Sequence, residues 1–441
     1  MIAKIEFGFH VLLDALQDHP IRRTVFLVVM SLALLLPGLS AIPVLDRDEA
    51  RFMQASKQMI ETGDYIDIRL QQVPRWKKPV GIYWLQAGAV HLSGQGAQAA
   101  HWVYRLPSLA AGIASVLLCY WAFHSLIGRR AATLAAMMLG SSFLWMAEAH
   151  IAKTDMVLLV CVLLAHGALV HIYIAASGAR ARFSALHWLF WVALGLGILV
   201  KGPIILIVSA GIVLWCSLAS RNLEPLMQLR PAPGVLVTLV VAAPWFVVIS
   251  IKSGGAFWDE SLFGDLLGKV AGVQEKHAGP PGYYLATLWI TFFPWMPLFI
   301  LAIASLWADR RAQRMRILLG WSLPFWLLYA LFPTKLPHYL LPTFPAFCAM
   351  LAYWLVSRNE QSQGALLRWA AAAMFALTGL ILASVNIVVV PLLERQFPLW
   401  GIVAGIAAIP VVLVGARALA QGRLGGFAGL AMLSALLIYP A

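Results

Sequence analysis

Residues 46–84 read DRDEARFMQASKQMIETGDYIDIRLQQVPRWKKPVGIYW, the longest polar interval in a chain that is otherwise almost wholly apolar. Three carboxylates, Asp46, Asp48 and Glu49, open it within four positions. Arg75, Trp76, Lys77, Lys78 and Pro79 stand near its end. Hydrophobic residues make up 61% of the 441-residue chain and charged residues only 12%. A soluble domain carries about 25% charge, so a soluble form would expose too much apolar surface. Lipid is the natural solvent. The apolar runs, about 17–25 residues long, match what a helix needs to cross a hydrocarbon core roughly 30 Å thick. In that medium every backbone amide needs an internal partner, so the spans are helices.

Outward from the polar interval, a first span is expected over 24–43. Further spans follow near 103–127, 131–149, 155–176, 186–200, 203–219 and 235–251. A second polar interval covers Lys252 to Gly282. Spans resume near 283–307, 317–333, 338–356, 369–391, 399–417 and 424–440. The expected fold is an all-α polytopic membrane protein with about thirteen transmembrane helices. It is read as one membrane-embedded domain over 1–441, with polar loops at 44–102 and 252–282 and no soluble domain at the C-terminal end. Residues 203–219 follow Lys201-Gly202-Pro203, where one broken helix is an alternative to two. Residues 1–23 carry Ile2, Ile5, Phe9, Leu12, Leu13 and Leu16 at helical spacing, suited to lying along the membrane. The helical stripe Phe52, Ala55, Met59 and Ile60 suits the same placement.

A cytoplasmic N-terminus puts Arg129-Arg130, Arg180/Arg182, Arg221/Arg230, Arg310/Arg311/Arg314/Arg316 and Arg358/Arg368 on short inner loops. The short outer loops then hold the single cations Lys153, Lys201, Lys335 and Arg395. This satisfies the positive-inside rule and puts both long polar intervals outside. It also accounts for much of the net charge of +13 without nucleic acid as a partner. Of the ten lysines only Lys4 falls inside. A compact ammonium suits phosphate oxygens, so the outer lysines are candidates for a phosphate site. The four cysteines lie in apolar runs without paired spacing and read as small core residues.

Several clusters offer chemistry. Asp46 can cap the helix that follows, with Glu49 as its capping-box partner. That leaves Asp48 as the carboxylate for an acceptor, orienting a hydroxyl. Glu148, His150, Lys153 and Asp155 crowd one short outer connection, where Thr154 or Asp155 is alternatively an N-cap. Lys201 ends a span, where a lysine can also simply snorkel. Lys335, His338 and Tyr339 can contact phosphate oxygens. His277 leads out of the second polar interval, beside Tyr283-Tyr284. Carboxylates and cations at the outer edge of an apolar pocket suit transfer from a polyprenyl-phosphate sugar. A phosphate leaving group needs cations to hold developing charge and a carboxylate to position the nucleophile. A glycosidase would instead need a protonated acid facing a second carboxylate. A transporter or flippase of an amphipathic lipid is the alternative. It expects polar groups and broken helices near the midplane, and the sequence shows few.

At these residues the sequence resembles the GT-C membrane glycosyltransferases. It is most similar to the lipid A aminoarabinose transferases and the bacterial protein O-mannosyltransferase-like enzymes. The matching stretches are Asp48-Glu49-Ala50-Arg51-Phe52, Gly63-Asp64-Tyr65, Lys78-Pro79 with Tyr83-Trp84, Thr154-Asp155, Lys201-Gly202, Pro244-Trp245, His277 with Tyr283-Tyr284, Pro294-Trp295 and Lys335-Leu336-Pro337. The resemblance implies inverting transfer from an undecaprenyl-phosphate sugar on the periplasmic side of a bacterial inner membrane. The acceptor is lipid A, another envelope glycan or a protein. It implies Asp48 and Asp155 as acceptor-side carboxylates, and Lys78, Lys201 and Lys335, with Arg51 or Tyr339, near the donor phosphate. Glu49, Glu148, His277 and His338 are additional candidates. The aminoarabinose enzymes carry a metal-associated glutamate before the lysine-proline pair. Here Lys77 holds that place, so a divalent metal through His277 stays an open assignment.

Overall fold

The computed structural model describes residues 1–44, 46–175, 183–261, 279–280, 282–357, 364–394 and 399–439. The expected cations Arg180, Arg182, Arg358 and Arg395, and His277, lie outside these residues. The described residues are mostly helical, with one hairpin among them pairing Arg69–Leu70 with Val73–Pro74. The hairpin turns at Gln71, which adopts a positive φ of 58°. Its backbone N–H and C=O both bond the Gln58 side chain at 2.7 Å, which ties the turn to the preceding helix.

In chain order the helices are α1 (Ile2–Gln17), α2 (Pro20–Leu35), α3 (Arg47–Thr62), α4 (Gly81–Ser93), α5 (His101–Ile127), α6 (Arg129–Gly140), α7 (Phe143–Ala149), α8 (Asp155–Ala175), α9 (Ala185–Lys201) and α10 (Ile204–Ser220). Later helices include Pro231–Lys252, Tyr283–Thr291, Met296–Ala308, Gln313–Leu331, Phe344–Ser357, Ala365–Ser384, Leu399–Ala420 and Leu424–Ile438. The core is built around α8, which is apolar on all sides, as a helix buried by neighbours must be. It packs between α5 and α9. Small residues permit the close approaches: a Cβ on Gly167 would lie 2.2 Å from the Trp121 ring. The four cysteines are free and buried.

Among the described residues six helices are each long and apolar enough to cross a membrane, or seven if the bent pair α6–α7 is one span. That is fewer than the spans expected from sequence, because several continuous apolar runs are broken. The 131–149 run bends by 58° between α6 and α7. The 283–307 run is split between Thr291 and Met296. The first span is shorter than expected, ending at Leu35. Irregular backbone in an apolar medium must be satisfied by other protein groups, and these two breaks satisfy each other. The Phe143 N–H donates to the Phe293 carbonyl at 3.0 Å. Tyr439 Oη donates to the Ser141 and Phe293 carbonyls at 3.1 and 2.9 Å. Trp295 Nε1 donates to Ser141 Oγ at 3.1 Å. The connection at Lys201-Gly202-Pro203 separates two helices, with Gly202 at a φ of 70° that a Cβ would strain.

The polar interval is a folded unit. Phe52, Ala55 and Met59 are buried and α3 packs on α4, with Phe52 against the Tyr83 ring at 5.4 Å. The stripe expected to meet lipid is thus covered by protein along much of its length. Ser56 Oγ donates to Gln86 Oε1 at 2.6 Å, and Gln86 Nε2 donates to the Ala152 carbonyl at 3.1 Å. These bonds carry α3 and α4 to the start of α8. The α1 helix buries Phe9, Leu13 and Leu16 and packs on the Leu424–Ile438 helix and α6.

Candidate functional site

Asp46 caps α3. Its carboxylate accepts from the backbone N–H of Asp48 at 2.6 Å and of Glu49 at 3.4 Å. Glu49 does not complete a capping box. It points into the protein, where Arg105 Nε and Nη2 donate to it at 2.8 and 3.1 Å and the Ala152 N–H at 2.9 Å. Arg105 also donates to the carbonyls of Leu39, Ile42 and Pro43 at 3.0, 2.7 and 3.2 Å. One buried guanidinium thereby ties the segment that follows α2 to α3 and α5. Its fork of five donors suits that task.

With Glu49 turned inward, Asp48 is turned out. Its side chain is 49% exposed and pairs with Arg51 at 3.4 Å and Arg75 at 3.9 Å. Arg75 is buried, with its guanidinium 5.4 Å from the centre of the Phe52 ring. Asp48 and Arg75 stand at the rim of a cavity of about 930 Å³. Lys77, Lys78, Lys153, Lys201, Glu148, Asp155, His338 and Tyr339 also line it, with apolar walls including Leu144, Ile204, Ile207, Ile290 and Phe332.

Two ion pairs organise the wall. Lys201 at the end of α9 meets Asp155 at the start of α8, Nζ to Oδ1 at 2.5 Å. This lysine does not snorkel: its side chain is 11% exposed. Its ammonium also lies 5.7 Å from the Tyr339 ring centre. Lys153 donates to Asp46 at 2.9 Å and stands 3.6 Å from Glu148. Glu148 is 3.6 Å from His338 Nδ1. Burial alone would raise the Asp46 carboxyl. The Lys153 charge and hydrogen bond and the two capping amides outweigh burial and hold it below its ordinary value. Burial would likewise lower the Lys153 ammonium. The negative charges of Glu148, Asp155 and Asp46 reverse that and raise it above its ordinary value.

The structure therefore brings together Asp48, Asp155, Lys78, Lys201, Tyr339, His338 and Glu148 at one cavity. Three sequence candidates fall elsewhere. Glu49 is committed to Arg105. Arg51 pairs with Asp48 without lining the cavity. Lys335 donates to the backbone carbonyls of Phe332 at 2.7 Å and Gly279 at 3.1 Å, and only its neighbours reach the cavity. Arg75 and Lys153 line it without having been selected as site residues. Lys153 lay in the 148–155 cluster and Arg75 at the end of the polar interval, so the signal was their position. His150 is a local brace, contacting the carbonyls of Met146 at 2.9 Å and Pro37 at 3.0 Å. Among the described residues no group of three or more His, Cys, Asp or Glu side chains could hold a metal. Lys77 and Lys78 line the cavity beside Lys153 and Lys201. A cation-rich wall does not fit a divalent ion, and no step is assigned to one.

The dolichyl-phosphate-mannose-protein mannosyltransferase family matches residues 77–248. An undecaprenyl phosphate-alpha-4-amino-4-deoxy-L-arabinose arabinosyl transferase of Pectobacterium carotovorum is 28% identical over 95% of this chain and 75% of the relative. The same-named enzyme of Edwardsiella ictaluri is 28% identical over 73% of this chain, and the match spans 57% of that enzyme. Among solved structures, ArnT from Cupriavidus metallidurans bound to undecaprenyl phosphate superposes with a TM-score of 0.77 at 23% identity, over 98% of this chain and 76% of that one. An Archaeoglobus fulgidus oligosaccharyltransferase superposes with a TM-score of 0.54 at 14% identity, over 93% of this chain and 56% of that one. Sequence relatives and fold agree: the chain is a multi-pass membrane protein with the GT-C fold, similar in sequence to the aminoarabinose transferases.

Proposed function

We propose that this chain transfers a sugar from an undecaprenyl-phosphate carrier to an acceptor at the periplasmic face of a bacterial inner membrane. The observation that carries this reading is the cavity itself. It joins apolar walls that suit a polyprenyl chain to a rim of lysines and aspartates that suits a phosphate and a nucleophile. Lys78 and Lys201 hold the donor phosphate, with Arg75, Lys77 and Tyr339 beside it. Asp48 orients the acceptor hydroxyl, and Asp155 sets the position of Lys201. The acceptor oxygen bonds to the anomeric carbon as the bond from that carbon to the phosphate oxygen breaks. The electron pair leaves with undecaprenyl phosphate, and the acceptor proton passes through Asp48 to solvent.

In this reading the N-terminus is cytoplasmic, and 44–102 and 252–282 are the two outer loops. The broken and shorter apolar helices count as crossings, which gives about thirteen. The arginine-rich short loops support that orientation. Mass spectrometry of envelope glycolipids and glycoproteins from cells with and without the gene tests the function. The expected result is a sugar modification, on lipid A, another glycan or a protein, that disappears with the gene. An envelope with unchanged sugar modification contradicts it.

A further inference from the structure

Two lysines and three carboxylates meet in one part of the cavity wall, and both lysines are taken. Lys201 is 2.5 Å from Asp155, and Lys153 is 2.9 Å from Asp46. Glu148 is the third carboxyl group of the cluster, with no lysine at hydrogen-bonding distance. Its nearest basic neighbours, the Lys153 ammonium and the His338 imidazole Nδ1, both stand at 3.6 Å. Charge-assisted N–H···O bonds close to about 2.7–2.9 Å, so neither contact is a hydrogen bond. Glu148 Oε2 has no hydrogen-bond partner among the described residues. The side chain is only 6% exposed, yet it lines the cavity. Buried polar groups are nearly always satisfied, and a carboxylate short of donors is costly to keep. Its placement makes sense when a ligand supplies the donor.

The occupant's chemistry follows from charge and depth. The unsatisfied Oε2 calls for an N–H or O–H donor, which neither phosphodiester oxygens nor a polyprenyl chain supplies. The exposed Asp48 stands at the acceptor's rim, whereas Glu148 is buried. We propose that Glu148 reads the transferred sugar, accepting an N–H or O–H that the sugar of the lipid donor supplies. This rests on the glycosyltransferase reading above.

The test compares two lipids on the whole protein in nanodiscs, without acceptor: undecaprenyl phosphate, and undecaprenyl phosphate-4-amino-4-deoxy-L-arabinose. Glu148→Gln should weaken the sugar-bearing lipid by about tenfold to a hundredfold, the range of a hydrogen bond to a charged group. Undecaprenyl phosphate should bind as in the wild type, which also reports that the variant is folded. Glu148→Asp decides by the same comparison if the glutamine variant does not fold. Equal weakening of both lipids, or of neither, overturns the proposal. Wild-type protein that binds neither lipid would instead overturn the glycosyltransferase reading. Repeating the comparison with the N-formylated sugar separates the sources. An effect that vanishes identifies the ammonium, and one that persists identifies a hydroxyl or the remaining amide N–H; either supports a sugar contact.

Discussion

Asp48 and Asp155 are both aspartates beside cations, yet their surroundings give them different parts. Asp48 is half exposed and its cations stand at 3.4 and 3.9 Å. Such contacts are worth about 0–1 kcal/mol, so Asp48→Asn should leave the thermal midpoint nearly unchanged while removing transfer. A midpoint assay beside a turnover assay checks both halves. Asp155 is buried against Lys201. Lys201→Met strands that carboxylate and should destabilise by about 3–5 kcal/mol. Adding Asp155→Asn should restore much of the stability and none of the activity. The Asp46–Lys153 pair makes a pH prediction. The depressed Asp46 carboxyl contributes fully above the unfolded value of about 3.9 and is lost as pH falls through its folded value. The raised Lys153 ammonium contributes fully below about 10.4 and is lost as pH rises through its folded value. The midpoint difference between wild type and Asp46→Asn should therefore be constant from roughly pH 5 to 9 and shrink in stronger acid. Most of these residues were legible because they cluster in sequence at loop ends. Lys335 shares that clustering, yet its ammonium turns to backbone carbonyls. Standing three residues from His338 does not say which way its side chain turns.

At the scale of elements, α3 is held in register by the Glu49–Arg105 pair rather than by a capping box. Arg105→Met leaves Glu49 buried without its cation and should cost about 3–5 kcal/mol, measured by thermal unfolding in detergent. Gly81 opens α4, and a Cβ there would lie 2.8 Å from the Leu199 carbonyl oxygen. Gly81→Ala should push α4 from α9 and cost about 1–3 kcal/mol. An Arg inside an apolar span was a readable sign of a buried partner, but Glu49 lies 56 positions away. The helix breaks were less legible. Only Ser141-Ser142 and Pro294 mark the breaks in the otherwise apolar runs through Gly140–Phe143 and Phe292–Met296. The groups that satisfy the bent backbone include Tyr439, 298 positions from Ser141. A local reading sees a long apolar run and extends the helix across it.

For the molecule as a whole, composition was enough to indicate a helical membrane protein, because hydration leaves so apolar a chain no soluble form. Convergence of the 46–84, 148–155, 201 and 334–339 stretches on one cavity depended on long-range packing that no spacing encodes. Orientation is testable without activity. In a variant lacking its four native cysteines, a cysteine at Gln72 should react with a membrane-impermeant thiol reagent from the periplasm. One at Arg311 should react only after the membrane is opened. The central claim concerns chemistry, and the most direct measurement is transfer by the purified protein in proteoliposomes. These would carry undecaprenyl phosphate bearing a radiolabelled sugar, with lipid A as the first acceptor and an envelope extract as the second. The account predicts label leaving the carrier for an acceptor with wild-type protein and not with Asp48→Asn. Label that crosses the bilayer still attached to its carrier, or transfer at the full rate by Asp48→Asn, would contradict it.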